Sequence, residues 1–292
     1  MTNYIPKASV IVPVYNAEGT IEECVNSILD LDYLKEKLEL IFIDNASTDS
    51  TENILKKYAK EIIILFEKKR GPAAARNKGL RNSSGDVIAF TDSDCVVEKD
   101  WLKNLIQPLK NKQVGIVGGK ILAKQPCNNI QKYGECIHNH FDSINSYKPP
   151  YVITMNWASR LSVLKEMNLF NEDFIRCEDV DLSYRIYLAD YKLVYSEDAV
   201  VYHKNEDSLA GLISEGYLHG VYSVQAIKLY YSLLAELGHQ RININSYKMI
   251  IKDFKDSVFG QDKMNALCSA IFNSGKKIGK LLGSLKYAHL DI

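Results

Sequence analysis

Short runs of apolar, mostly β-branched residues alternate with helical patterns near the start of the chain, and this alternation limits the possible folds most. Five runs predict strands, at 8–15, 38–44, 61–66, 86–91 and 114–122. The segments 20–29, 50–59, 72–81 and 101–109 predict helices between them. Strand–helix–strand order implies right-handed crossovers, which place helices on both faces of a mostly parallel sheet. Ligands bind such sheets beyond the carboxyl ends of the strands.

The rest of the chain divides into an irregular stretch, a second part of the sheet and a helical end. Residues 126–150 are irregular and polar and predict an excursion from the sheet or a loop. Residues 151–158 and 192–202 predict strands, 161–170 a helix or turn, and 177–189 a helix. Residues 209–237 predict a long helical stretch that glycines interrupt. We therefore expect an α/β domain at 1–205 and a helical extension at 206–292.

Charge is balanced over the whole chain but not along it. The chain has 36 Lys and Arg against 36 Asp and Glu, so it lacks the cationic surplus of a protein that coats nucleic acid. Residues 241–292 carry nine Lys and Arg against four Asp, a net charge of +5. The segment 276–287 mixes basic and apolar residues, which predicts either contact with an anionic membrane or a packed helix with a solvated basic face.

Cysteine spacing and hydropathy indicate where in the cell the protein is located. The six cysteines lie far apart with no C-x-x-C pair, as in reduced intracellular proteins. Residues 1–7 show no signal-peptide pattern, and no apolar run reaches the length of a membrane span. We expect a cytoplasmic protein, free in solution or peripheral on the inner face of the cell membrane.

Polar residues follow three of the predicted strands and meet at one edge of the sheet. They are Asn16, the pair Asp44-Asn45, and the run Asp92-Ser93-Asp94. Two carboxylates at D-x-D spacing can bind a divalent ion that holds a diphosphate, although such residues at a strand end also act as simple capping groups.

Three further motifs carry possible chemistry. The run Arg70-Gly71-Pro72 precedes a helix start with small residues, which suits a phosphate. Glu178-Asp179-x-Asp181 opens a helix, where the carboxylates serve the helix dipole or one of them acts as a general base. His203 ends the last strand and becomes a metal ligand only if the fold brings it near Asp94. The spacing of Cys136, His138 and His140 favours packing over a zinc site.

The order of these motifs resembles that of the family 2 glycosyltransferases, which have the GT-A fold. The resemblance covers roughly residues 8–205, and its motifs lie at 9–16, 43–49, 71–79, 85–94 and 178–182.

The resemblance implies a set of site residues. Those for nucleotide-sugar binding are Pro13, Tyr15, Asn16, Asp44, Asn45, Arg76, Asp92, Ser93, Asn156 and Trp157. Asp94 and His203 match the metal ligands, and Asp179 matches the catalytic base with Glu178 as its neighbour. Asn45 stands where the family usually has an acid, so the choice between a UDP-sugar, which we favour, and a dTDP-sugar stays open.

The implied activity is an inverting, metal-dependent sugar transfer. Asp179 would take the proton of an acceptor hydroxyl, and Mn²⁺ or Mg²⁺ would neutralise the departing diphosphate. The expected partners are a nucleotide-sugar donor, a glycan or lipid-linked glycan acceptor as in polysaccharide biosynthesis, no nucleic acid, a membrane surface at 241–292, and a second copy of the chain in a homo-oligomer.

Two other functions fit parts of the pattern. A nucleotidyltransferase that makes sugar nucleotides would share the sheet and the metal, but its Gly-rich loop is absent after the first strand. A protein that binds a nucleotide sugar without turnover would not need both Asp94 and Asp179.

Overall fold

The computed structural model describes residues 4–292, so the first three residues of the expected α/β domain lie outside it. The chain forms two compact units. The first contains the residues up to Lys124 together with His138–Lys204, and the second contains Gln125–Ile137 together with Asn205–Ile292. The second unit therefore takes a segment from the middle of the predicted α/β domain as well as the predicted helical extension.

The first unit is built on one eight-stranded sheet. Its strands are β1 (Ala8–Val14), β2 (Leu38–Asp44), β3 (Ile63–Phe66), β4 (Val87–Thr91), β5 (Cys95–Val97), β6 (Val114–Ala123), β7 (Asn156–Arg160) and β8 (Lys192–His203). Their order across the sheet is β3-β2-β1-β4-β7-β6-β8-β5. Strands β3, β2, β1 and β4 run parallel, as do β6 and β8, whereas β7 is antiparallel to both of its neighbours and β5 to β8.

Helices cover both faces of this sheet. They are α1 (Ile21–Leu29), α2 (Thr51–Lys56), α3 (Pro72–Asn82), α4 (Trp101–Ile106), α6 (His140–Asn145), α7 (Leu161–Glu166) and α8 (Glu178–Leu188), with 3-10 turns at Lys35–Lys37 and Gln107–Lys110. Side-chain alternation along β1 sends Val10 and Val12 into one core layer and Ile11 into the other. The expected α/β architecture is confirmed.

The second unit is helical. Its helices are α5 (Asn129–Ile137), α9 (Leu209–Leu229), α10 (Tyr231–Glu236), α11 (Ile244–Phe259) and α12 (Lys263–Lys286). Of the two alternatives for 126–150, the loop was wrong because this stretch contains α5 and α6, whereas an excursion agrees with the place of Gln125–Ile137 in the second unit. Helix α5 places Ile130, Tyr133 and Ile137 against a small core around Phe272, and their spacing of three and four residues is a helical signal in a polar stretch.

Glycines bring α9 and α12 into backbone contact. A Cβ atom at Gly279 would lie 2.0 Å from the carbonyl oxygen of Tyr217, and one at Gly220 would lie 2.1 Å from that of Lys276. The glycines expected to interrupt the helix at 209–237 therefore lie inside α9, where they permit close packing. Within residues 4–292, no helix combines the length and the apolar character that crossing a bilayer requires.

Candidate active site

The loops after β1 and β2 are joined by side-chain hydrogen bonds. Oδ1 of Asn16 accepts from the backbone N–H of Thr48 at 2.8 Å, and Ser47 Oγ accepts from the N–H of Asn16 at 3.0 Å. Oδ1 of the buried Asp44 accepts from the N–H of Ser47 at 2.9 Å. We call the edge of the sheet at the carboxyl ends of β1, β2 and β4 the rim. Because Val14 and Asp44 are paired in the parallel sheet, these bonds fix the first part of the rim.

Arg70 stacks on Tyr15 at this rim. Its guanidinium carbon lies 3.7 Å from the centroid of the Tyr15 ring, and its Nη2 donates to the Tyr15 hydroxyl. Nη1 donates to the carbonyl oxygen of Ala46 at 2.8 Å, so the stack is also tied to the loop after β2. The Tyr15 side chain nevertheless remains 46% exposed. The sequence placed Arg70 near a phosphate and gave no signal for this contact with Tyr15.

Asn45 uses its amide to hold the segment before α3. The Nδ2 group donates to the carbonyl oxygens of Glu67 and Lys69 at 3.0 and 2.7 Å, and Oδ1 accepts from the N–H of Gly71 at 2.9 Å. Gly71 has a φ of 124°, a conformation that a residue with a Cβ rarely adopts. The amide expected to contact a base is thus bonded to the protein backbone.

Arg76 is a buried bridge between two of the predicted motifs. Its Nη2 donates to Oδ1 of Asp92 at 2.8 Å and its Nη1 to Oε1 of Glu178 at 2.5 Å. Burial by itself lowers the pKa of Arg76, but Asp92, Glu178 and Asp179 outweigh burial and raise that pKa above its ordinary value. The structure therefore gives this cation three carboxylate neighbours rather than leaving it open to a phosphate.

Asp94 and His203 meet at the other side of the D-x-D turn. Cys95 pairs with His203 in the antiparallel contact between β5 and β8, and this brings His203 Nε2 to 3.4 Å from Asp94 Oδ2. The ring of His138 packs edge-on against that of His203, with centroids 5.1 Å apart. The fold therefore brings together the two residues predicted as metal ligands, although 109 positions separate them in the sequence.

These two side chains suit a divalent cation. A carboxylate oxygen and an imidazole nitrogen are both accepted ligands of Mn²⁺, and the Asp94 side chain is 41% exposed. His140, by contrast, uses both ring nitrogens in the core, on the Gly119 carbonyl oxygen at 2.7 Å and the Ile153 N–H at 2.8 Å. Asp94 and His203 are therefore the predicted metal ligands that the structure brings within reach of each other.

Asp179 lies in the first turn of α8, immediately after Glu178. Its Oδ1 accepts from the N–H of Val180 at 2.8 Å and its Oδ2 from the N–H of Thr154 at 3.3 Å. Burial raises the pKa of Asp179, and Arg76 only partly offsets this. Burial and then the Asp179 charge also raise the pKa of Glu178. A carboxylate with a raised pKa is a stronger base than an ordinary aspartate.

The segment that leads into α8 is held by an ion cluster that the sequence did not reveal. Glu172 accepts from Lys69 Nζ and Asn77 Nδ2, both at 2.9 Å, and from Arg81 at 3.1 Å. Hydrogen bonds from Asn77 and then Lys69 lower the pKa of Glu172 to about 2. Asn77 also bonds the backbone of Phe170 in both directions, so α3 fixes the approach to Asp179.

The remaining predicted residues lie in different surroundings. Pro13 and Ser93 are half-buried at the rim. Asn156 and Trp157 are fully buried in β7. The Asn156 amide accepts from Trp101 Nε1 at 2.8 Å and donates to two backbone carbonyls, and Trp157 stacks on Phe90 at 5.2 Å between centroids. The structure thus does not bring Asn156 and Trp157 to the surface where a sugar would bind.

Comparison with known proteins decides the family. The model of the family described as "Glycosyl transferase family 2" matches residues 9–168, which is more than half of the chain. The chain belongs to this glycosyltransferase family. The match includes the rim residues from Pro13 to Asp94 and ends before Asp179.

Curated relatives of this glycosyltransferase differ in how much of their length is matched. Glycosyltransferase AglE of Haloferax volcanii is 29% identical over 70% of this chain and 68% of its own length. The teichuronic acid glycosyltransferase TuaG of Bacillus subtilis, described as putative, is 40% identical over 37% of this chain. This chain spans only 43% of TuaG and 35% of glycosyltransferase GlyA of Streptococcus pneumoniae, which is 27% identical.

Solved structures show the same fold. A mannosyltransferase from Pyrobaculum calidifontis, in complex with GDP-Man and Mn²⁺, aligns with a TM-score of 0.64 at 21% identity over 93% of this chain and 88% of its own. TarS from S. aureus in complex with UDP-GlcNAc aligns with a TM-score of 0.60 at 20% identity over 97% of this chain and 92% of its own. The family 2 glycosyltransferase described here thus has GT-A neighbours that bind nucleotide sugars.

Proposed function

We propose that this family 2 glycosyltransferase moves a sugar from a nucleotide-diphosphate donor to a hydroxyl of a glycan or lipid-linked glycan, with inversion at the anomeric carbon. The observation that carries the proposal is the position of Arg76. Its two bonds link Asp92, on the predicted donor side, with Glu178, the neighbour of the predicted base. The residues proposed for the two ends of one displacement reaction are thus joined through a single guanidinium.

Asp179 is the proposed general base. Its carboxylate accepts the proton of the acceptor hydroxyl while that oxygen attacks the anomeric carbon and the bond to the diphosphate breaks. Attack from the side opposite the leaving group inverts the anomeric centre. Support comes from the pKa of Asp179, which burial raises towards the range in which a carboxylate takes a proton effectively.

Asp94 and His203 would hold a divalent cation, Mn²⁺ or Mg²⁺. When bound there it would supply positive charge to the departing diphosphate. The Mn²⁺ in the mannosyltransferase structure supports this choice of cofactor class. Arg76 would contribute to donor binding indirectly. Its Nη2 donates to Oδ1 of Asp92 at 2.8 Å and so orients that carboxylate.

We propose that the nucleotide base lies against Tyr15 and that Asp44 contacts its polar edge. Asn45 would then act indirectly, because its amide holds the backbone of residues 67–71. A UDP-sugar is the favoured donor and a dTDP-sugar the alternative. The UDP-GlcNAc in the TarS complex supports UDP, whereas the GDP-Man complex shows that the fold also accepts a purine.

The names of relatives and the composition support a proposal for the acceptor class and the cellular location. One relative is named a poly(ribitol-phosphate) β-glucosyltransferase, which supports a polymeric acceptor. The alignment covers only 19% of that relative and 39% of this chain. We propose that the protein works in the cytosol, where its six cysteines stay reduced.

A panel of nucleotide sugars tests the proposal. Thermal unfolding of the full chain is measured with UDP-, dTDP- and GDP-sugars, each with Mn²⁺ and again with EDTA. We expect a UDP-sugar to raise the Tm most, and only when the metal is present. The donors that bind are then incubated with glycan acceptors, and release of the nucleoside diphosphate is measured. Failure of every donor to bind would contradict the proposal, and release of pyrophosphate from a nucleoside triphosphate and a sugar phosphate would indicate a nucleotidyltransferase instead.

A further inference from the structure

Helix α11 has an outer face that the second unit leaves uncovered. None of its 16 residues is buried. Five large apolar side chains of the helix are more than half exposed: Ile244 at 63%, Met249 at 61%, Ile251 at 58%, Val258 at 55% and Phe259 at 86%. Monomeric surfaces rarely leave so many large apolar side chains in water along one short helix, and such a patch usually marks a binding surface.

Lysines lie between these apolar residues. With 100° between successive residues of a helix, Lys248, Lys252 and Lys255 fall on the same side as Ile244 and Ile251. All three lysines are exposed, and within residues 4–292 none of them makes an ion pair or a hydrogen bond. The outer face is therefore both apolar and cationic.

The two acidic residues of α11 make no ion pair with these lysines. Asp253 and Asp256 are half-buried, and Oδ2 of Asp253 accepts from the Ser269 hydroxyl of α12 at 2.7 Å. Asp253 therefore lies on the packed side, away from the lysines, whereas Asp256 lies at the edge of the outer face, about 40° around the helix from Lys252. A surface helix stabilised by salt bridges would pair the two signs instead.

Helix α12 provides an internal comparison. It also exposes apolar residues, among them Leu285 at 79%. Two of its lysines, however, have partners in the second unit. Lys280 pairs with Asp291 at 2.5 Å, and Lys277 lies 4.5 Å from the centroid of the Tyr247 ring. On α11, three exposed lysines that make no ion pair among the described residues share one face with exposed apolar side chains.

From this arrangement we propose that the outer face of α11 binds an anionic phospholipid surface. The apolar side chains enter the boundary between headgroups and acyl chains, and the three lysines meet the lipid phosphates. This inference rests on the structure of the second unit and does not require the proposed donor or metal. It would place the enzyme at a membrane that carries lipid-linked acceptors.

Flotation of the full chain with vesicles tests the proposal without any activity measurement. Vesicles of phosphatidylcholine alone are compared with vesicles that also contain phosphatidylglycerol, at low and at high salt. We expect binding only to the anionic vesicles, and weaker binding at high salt because the lysine contribution is screened. Equal binding to both kinds of vesicle, or to neither, would overturn the proposal.

Variants of α11 locate the surface. The triple variant Lys248→Gln, Lys252→Gln, Lys255→Gln is expected to lower the vesicle partition coefficient on the order of 10²-fold, since each lysine near an anionic surface contributes about fivefold. The variant Ile251→Ser, Val258→Ser is expected to lower it at least about tenfold. A control with the same loss of charge replaces three exposed lysines of the first unit, Lys57→Gln, Lys60→Gln and Lys112→Gln.

The control should bind like the unchanged protein, and all variants should keep the same far-UV circular dichroism and Tm. If the control and the α11 variants lose binding equally, net charge rather than this face is responsible and the proposal fails. Sedimentation of the unchanged protein and of the Ile251→Ser, Val258→Ser variant tests for a second copy on the face. A dimer that dissociates only in the variant would assign the face to self-association and overturn the lipid assignment.

Discussion

Arg76 donates to Glu178 across 2.5 Å, and both side chains are buried beneath the rim of the sheet. Arg76 lies on α3 and Glu178 begins α8, so this bond joins the helix after the nucleotide-side loops to the helix that carries the proposed base. A buried charge that loses its partner is costly, because its desolvation is no longer offset. The pair is therefore expected to matter for stability as well as for transfer.

The first prediction concerns this pair. Arg76→Met removes the cation and leaves the Glu178 and Asp92 carboxylates without it, so unfolding in urea should show a loss of about 3–5 kcal/mol. Glu178→Gln keeps an oxygen acceptor for Arg76 and is expected to cost less than Arg76→Met. Equal stability of Arg76→Met and the unchanged protein would show that the bridge is dispensable.

The second prediction concerns the proposed base. Asp179→Asn keeps the size of the side chain and one oxygen, which can accept from the backbone N–H of either Val180 or Thr154, but it cannot take a proton. Donor affinity should be retained while kcat falls by about 10²- to 10⁴-fold. Isothermal titration with the donor and steady-state assays separate the two effects. Near-normal turnover would remove Asp179 as the base.

The third prediction is the pH dependence of transfer. Burial raises the pKa of Asp179, so the active carboxylate becomes protonated at a higher pH than an ordinary aspartate with its pKa of about 3.9. As the pH falls, kcat should therefore drop before the fold is lost. The measurement is a profile of kcat from pH 8 to the acid limit, with circular dichroism at each pH. A rate that stays constant until unfolding begins would contradict the raised pKa.

Much of the sheet could be predicted from the sequence because its strands are locally distinctive. Leu38–Asp44 was predicted to the residue, and the strand ends carry the polar groups that form the rim. The family resemblance then located Arg76, Asp94 and Asp179 on three separate elements. Buried strands of Ile and Val next to short polar turns leave little choice of secondary structure.

Contacts between distant parts of the chain could not be predicted in the same way. The stack of Arg70 on Tyr15 and the bonds of Asn77 to Phe170 depend on tertiary packing, and no local pattern encodes them. The burial of Asn156 could not be predicted for the same reason. An amide in a strand can contact a ligand or form buried hydrogen bonds, and the local sequence does not distinguish the two. Helix α5 was not predicted because its helical spacing rests on only three apolar residues in an otherwise polar stretch.

The fourth prediction concerns the cation ligands. Asp94→Asn should weaken Mn²⁺ binding in the presence of the nucleoside diphosphate by at least about tenfold, because a neutral amide replaces the carboxylate. His203→Gln should weaken it as well, since it removes the imidazole nitrogen 3.4 Å from Asp94. Electron paramagnetic resonance of Mn²⁺ measures the free ion directly. Asp198→Asn, at an exposed position of the same strand β8, is the control and should leave the affinity unchanged.

The last prediction concerns the packing of α9 on α12 in the second unit. An alanine in the middle of a helix normally stabilises it by about 1 kcal/mol relative to glycine. At Gly279 the added methyl group would lie 2.0 Å from the Tyr217 carbonyl oxygen, which is backbone and cannot rotate away. Separating the two helices costs about 1–3 kcal/mol and outweighs the gain in propensity, so Gly279→Ala should lower the stability of the second unit in urea. Gly19→Ala is the matched control, because nothing lies within 4 Å of its added methyl group, and it should leave stability nearly unchanged. If Gly279→Ala instead stabilises the protein, the close approach of the two backbones is not a feature of the folded chain.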